Sequence, residues 1–246
     1  MLIRVIAMTL VTMLAGLLMP MAAHAAAQIV IWPAQFSYGT PSGTFTWNST
    51  AIGLRLDQAI APFSAVGTSF YYGSVSNLTF AGGSLSGYSG QTLAGDLSLR
   101  LGMSAGPLGL TGYAGYGGSV LNASGPAASD RIVLTTLGFR VGAEAKIPLT
   151  SGLALRGSWT ALTGLNSQAN FALSTPPTAA SQSGTGSGSE YEVAVLFSPI
   201  SQTSILAGYR AGTYQTAWSG SGTTTDRKST RLNSSHIQKS RMPSSA

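Results

Sequence analysis

A strict period of two, repeated in segment after segment, restricts this chain more than any other feature. From 131 to 149 the odd positions from Val133 read Val133, Thr135, Leu137, Phe139, Val141, Ala143, Ala145, Ile147 and Leu149, and the even ones from Thr136 read Thr136, Gly138, Arg140, Gly142, Glu144 and Lys146. Successive side chains of a strand point to opposite faces, so one face here is apolar and the other carries every charge. Ile52, Leu54 and Leu56 oppose Gly53, Arg55 and Asp57, and Leu97, Leu99, Leu101 and Met103 oppose Asp96, Ser98, Arg100 and Gly102. Leu153, Leu155 and Trp159 face away from Arg156 and Ser158. Tyr191, Val193, Val195 and Phe197 oppose Glu190 and Glu192, and Ile205, Ala207, Tyr209 and Ala211 oppose Gly208, Arg210 and Gly212.

The composition of the second face narrows the fold further. The solvent face of a soluble sheet is normally rich in Lys, Glu and Thr. Here it is Gly, Ser and Ala with one to three charges per strand. Arg55, Arg100, Arg140, Lys146, Arg156 and Arg210 share one class of position with Asp57, Asp96, Glu144 and Glu192. Near-balanced charge among small residues suits a narrow lumen in which charges pair, with lipid meeting the apolar face. The expected fold is therefore all-β: an antiparallel up-and-down transmembrane β-barrel of 8–10 strands. A secreted soluble β-protein is the alternative that alternation alone would also fit.

Clear strands are expected at 48–57, 64–75, 91–104, 108–120, 131–149, 153–163, 190–198 and 204–217. Short turns are expected at 57–64, 105–107, 150–152 and 199–203, and long polar connections at 74–90, 121–130 and 164–189. Short turns at one end and long loops at the other match the outer-membrane rule. That alternation makes 48–57 run inward, so an outward strand precedes it, with 28–38 the candidate despite Pro33. It also makes 204–217 run outward, so a returning last strand is expected and is missing from 26–225, which leaves an unpaired edge. Tyr71, Tyr72, Trp159, Tyr191, Phe197 and Trp218 fall near strand ends, where an interfacial girdle lies.

The two ends read as separate from this pattern. Residues 1–25 resemble a signal peptide: one basic residue (Arg4), an apolar run over 5–18, and small residues around Ala23 and Ala25. This predicts export. From Asp226 the texture changes, and Asp226 through His236 resembles, residue for residue, the translation of a common short-read sequencing adapter. The match resumes at 240–246 after three residues that fall on the variable sample index. The segment 226–246 is accordingly read as a non-native, disordered tail. It holds five of the 13 basic residues and one of the seven acids, and Arg4 leaves with the signal. The remainder has 7 basic and 6 acidic residues, a net charge of +1, so no nucleic-acid partner is expected.

With the signal, the alternation, the turn pattern and the Ala207-Gly208-Tyr209-Arg210 wording together, 28–219 resembles the small outer-membrane β-barrels of Gram-negative bacteria. These include opacity-type proteins and the transmembrane domain of outer membrane protein A. The resemblance implies residence in the outer membrane, outer-membrane lipid and the barrel assembly machinery as partners, and external loops that meet surface ligands. Enzymes of this architecture rely on a histidine base, and the only histidines here, His24 and His236, lie in the signal and the tail. No catalytic residue, metal site or cofactor is expected, and with no Cys in the chain thiolate chemistry is excluded. Two roles remain. One is a structural or surface-interaction barrel with its lumen filled by ion pairs, and the other is a small porin-like channel for polar solutes.

Overall fold

The computed structural model describes residues 25–174, 177–200 and 203–224; the reading of 1–25 as signal, all but Ala25, and that of 226–246 as adapter-derived tail lie outside these residues. The described chain forms ten strands and no helix: β1 (Ala25–Thr40), β2 (Gly43–Ala61), β3 (Ser64–Phe80), β4 (Gly83–Ser84), β5 (Ser89–Ala105), β6 (Leu108–Ser124), β7 (Arg131–Thr150), β8 (Leu153–Ser174), β9 (Pro177–Ile200) and β10 (Thr203–Thr224). Apart from the two-residue β4, which folds back on β3, each long strand pairs antiparallel with its sequence neighbour. β1 then pairs with β10 and closes the sheet into a ring. The expected antiparallel up-and-down barrel is the architecture found.

Closure differs from the sequence expectation in one respect. No edge is left open along most of β1: it pairs in parallel with the lower part of β10, Ala27 opposite Thr203 through Tyr38 opposite Tyr214. The physical reason is parity. With β4 set aside, nine long strands form the ring, and in an up-and-down chain the first and ninth run the same way.

The ends of the strands at the short turns lie close to the expected positions, whereas the opposite ends run farther. The connections expected as loops at 74–90 and 164–189 are largely strand, β3 reaching Phe80, β8 Ser174 and β9 beginning at Pro177. Two bulges explain why the period fails there. Asn77 takes φ 50° where the β2–β3 register slips, and the inward positions pass from Tyr71 and Gly73 to Leu78 and Phe80. Gly164 takes φ 57° where the β8 registers slip, and the inward phase passes from Arg156, Thr160 and Leu162 to Leu165, Ala169 and Phe171. An extra residue inverts which parity faces inward, so an alternation count stops although the strand does not.

The ring buries one side and exposes the other in the order opposite to a soluble sheet. Leu101, Phe139 and Val193 are 59%, 60% and 57% exposed on its outside, while Arg156 and Glu190 are 3% and 4% exposed within it. The outer apolar residues form a belt with a sharp upper edge. Ile52 gives way to Thr50, Tyr72 to Ser74, Leu93 to Gln91, Val120 to Asn122 and Tyr191 to Ser189 on moving toward the hairpin end. Along β5 the belt runs from Leu93 to Met103, about 34 Å of strand, or about 26 Å of height at a tilt of ~40°. Tyr72, Tyr116, Trp159, Tyr191 and Tyr209 stand on its outer surface. Two residues expected in this girdle are elsewhere: Tyr71 is buried in the lumen, and Trp218 is half-buried with its indole N–H donating to Gly39 O at 2.8 Å. Both occupy inward parity.

Candidate functional site

The lumen charges come together through wall residues small enough to admit long side chains. A Cβ on Gly67 would lie 2.2 Å from Arg100 Nε and 2.7 Å from Asp57 Oδ1, and one on Gly53 would lie 2.2 Å from the Tyr71 ring. Glycine at these places lets an arginine or a tyrosine lie flat against the opposing strand.

Two networks fill the middle of the ring. In the first, Glu144 on β7 accepts Arg156 at 2.8 Å, Arg55 at 3.1 Å and Arg100 at 3.5 Å, so one carboxylate ties β8, β2 and β5 together. Asp57 meets Arg100 at 3.0 Å and Arg55 at 3.7 Å, Glu192 stands 3.7 Å from Arg156, and Arg156 donates to Gln28 Oε1 at 3.2 Å. In the second, Glu190 on β9 accepts hydrogen bonds from Arg140, Arg210 and, at 2.7 Å, the Tyr214 hydroxyl. Arg210 also lies over the Trp32 and Tyr71 rings, 5.4 and 5.2 Å from their centroids. These are charge-assisted bonds in a site that excludes bulk water, the setting in which they are strongest.

Of the residues singled out from sequence, Arg55, Asp57, Arg100, Arg140, Glu144, Arg156, Glu192 and Arg210 all enter this assembly. Asp96 faces the same lumen but is bonded by the Ser69 hydroxyl rather than by an arginine. Lys146 is exposed near the short-turn end and makes no ion pair among the described residues. Glu190, the centre of the second network, is absent from the sequence-derived cluster. Its signal was its parity, two residues from Glu192 on the same face.

Apolar layers bracket the charges. Toward the hairpin end the rings of Phe45, Phe80 and Phe171 stand 4.5–5.6 Å apart, packed with Leu78, Leu121 and Ile132. Tyr38 of β1 crosses the interior, its hydroxyl 3.4 Å from Thr135 O and Gln168 O on β7 and β8. Toward the short turns Val30, Ala154, Leu196 and Leu206 are buried beneath the charges. The cavity left among the charged residues is about 30 Å³, enough for one or two waters.

A separate clamp joins the hairpins. The Asp130 carboxylate accepts Ser174 N at 2.8 Å, Ser174 Oγ at 3.0 Å and Ala127 N at 3.2 Å, tying the β6–β7 turn to the end of β8. Burial alone would raise this carboxyl; the hydrogen bonds from Ser174 and Ala127 outweigh it and hold it below its ordinary 3.8. Burial, with the Asp130 carboxylate acting in the same direction, pushes the neighbouring Tyr88 hydroxyl up to about 12.

Among the described residues no group of three or more His, Cys, Asp or Glu is placed to hold a metal ion. Chemically the assembly is a set of mutually neutralising charges that cross-brace the walls. Searched against protein-family models and against curated proteins, the chain matches none.

Proposed function

We propose that this chain is an exported β-barrel of the outer membrane with a structural or surface-interaction role, its lumen filled by ion pairs and its hairpin end forming the contact surface. The observation that carries this reading is the outer apolar belt, set around a ring whose interior holds the charge. An exposed apolar surface of this extent has no place in water, and its height of about 26 Å fits the ~25 Å lipid-facing band of such barrels. On this reading outer-membrane lipid covers the belt, the assembly machinery inserts the chain, and the belt's upper edge marks the outer interface. The filled interior favours this role over a small channel.

Single lysines placed at outward positions test the assignment. At Val193 or Leu99, inside the belt, lysine is expected to cost about 2–4 kcal/mol of folding into lipid vesicles, against ~0–1 kcal/mol near or above its edge at Ser187 or Thr213. Equal effects at the two sets of sites, or folding that is independent of lipid, would sink the membrane reading.

A further inference from the structure

The seam between β1 and β10 is unlike every other contact in the ring. All other long-strand neighbours run antiparallel; this pair alone is parallel. Parallel pairing is slightly less stable per residue, and consecutive strands joined by short turns do not produce it except across a closure.

The seam is also interrupted. Its register is continuous from Ala27 to Ile31, skips Trp32 and Pro33, and resumes with Ala34 opposite Arg210. Pro33 has no N–H to offer a neighbour. Above Tyr214 the register with β1 ends, while β10 continues to Thr224 paired on its other side with β9. Among the described residues, the edge of β10 over 215–224 is therefore a row of backbone donors and acceptors without a strand beside it, which β1, ending at Thr40, does not reach. Side-chain contacts stand in at both breaks: Trp218 donates to Gly39 O above Tyr214, and beside the Trp32–Pro33 interruption the Tyr209 hydroxyl donates to Gln35 Oε1 at 3.2 Å.

We infer that the seam is an acceptor for one further strand, running antiparallel to both β1 and β10, and that the native reading frame supplies it directly after β10. Such a strand descends from the hairpin end and presents apolar residues outward and small or charged residues inward. It pairs with the free edge of β10 along its whole length and leaves ten long strands, so that every neighbour in the ring is antiparallel. The segment 226–246 lacks this alternation. The inference rests on strand parity and register and holds whether or not the barrel sits in a membrane.

The chain has no cysteine, so an engineered pair reports on the seam without background. Ile31→Cys with Ala207→Cys places two thiols on registered partners on the outer face. In the chain as it is, the disulfide is expected to form on mild oxidation. Replacing 226–246 by a short turn and a copy of 131–150, which descends as β7 and whose 20 residues reach past Ala207 along the 22 residues of β10, is expected to reduce that disulfide at least tenfold. A scrambled copy that destroys the alternation should leave it. Equal cross-linking with the alternating and scrambled copies overturns the inference, as does failure of the disulfide to form in the unmodified chain. Sequencing the gene across the Thr225 codon is the independent check. An alternating segment about as long as the 22 residues of β10 supports an inserted strand, and a genomic continuation identical to 226–246 overturns it.

Discussion

Glu190 is 4% exposed and bonded to two guanidinium groups and a phenol, so its removal leaves two buried cations without a counter-charge. Breaking a buried pair from one side costs about 3–5 kcal/mol. Glu190→Leu is expected to lose stability in that range, and Lys146→Ala, at an exposed site, to stay within about 0.5 kcal/mol. Adding Arg210→Leu to Glu190→Leu should cost less than the two single changes together, because each removes the other's unpaired charge. Urea titrations followed by tryptophan fluorescence in vesicles measure the unmodified chain and the four variants, Arg210→Leu alone included; a Glu190→Leu loss no larger than that of Lys146→Ala removes the bracing role. At this scale the sequence was informative about which face a charge occupies and silent about its partner. Parity placed Glu144 and Arg156 in one lumen, but the ion pair joining them depends on register. Lys146 has the parity of the network and is registered opposite Arg156, yet its side chain is exposed and outside the ion pairs.

The strands were legible wherever an apolar face contrasted with a small or charged one, which is why the ends of β5, β7 and β9 at the short turns fell close to where they were expected. Their hairpin halves were not, for a reason visible in β8. Gly164 inserts one residue, the inward set shifts from Thr160 and Leu162 to Leu165 and Phe171, and the polar outer positions Asn166, Gln168 and Asn170 read as loop. The clamp at Asp130 is what these extended hairpins need at their tips. Because its carboxyl is held below 3.8, its contribution is present in full above that pH and is lost as pH falls through the lowered value. Tyr88 has the opposite sign: its contribution is present below its ordinary 10.0 and is lost as pH rises toward about 12. Resistance of the 125–130 turn to a broad-range protease added at each pH, with cleavage rates normalised to an unfolded substrate at the same pH, should therefore hold a plateau between these limits. Asp130→Asn should lower the plateau and flatten its acid limb, while Tyr88→Phe should flatten the alkaline limb alone. An acid limb that survives in Asp130→Asn would show that another carboxylate controls it.

For the whole molecule, the sequence distinguished inside from outside and left open whether the inside conducts. The layers are in series. Ions entering from the hairpin end meet the dry stack of Phe45, Phe80 and Phe171 before reaching the charged layer. Within that layer the arginines are held by carboxylates around a cavity of about 30 Å³. Beneath it, toward the short turns, lies the apolar layer of Val30, Ala154, Leu196 and Leu206. A path must be continuous to carry current, so any one of the three layers is sufficient to close it. The unmodified chain in a planar bilayer is expected to show no sustained conductance steps. Phe45→Ala with Phe171→Ala removes the upper barrier and leaves Glu144 with its three arginines in place, so it should stay at background as well. Adding Arg55→Ser and Arg156→Ser, together with Leu196→Ala and Leu206→Ala in the apolar layer beneath the charges, opens all three layers and should produce steps, provided the variant keeps its strand content by circular dichroism. Steady ohmic steps from the unmodified chain would instead mean that the charged layer is wetted and continuous, and the channel reading would replace the filled barrel.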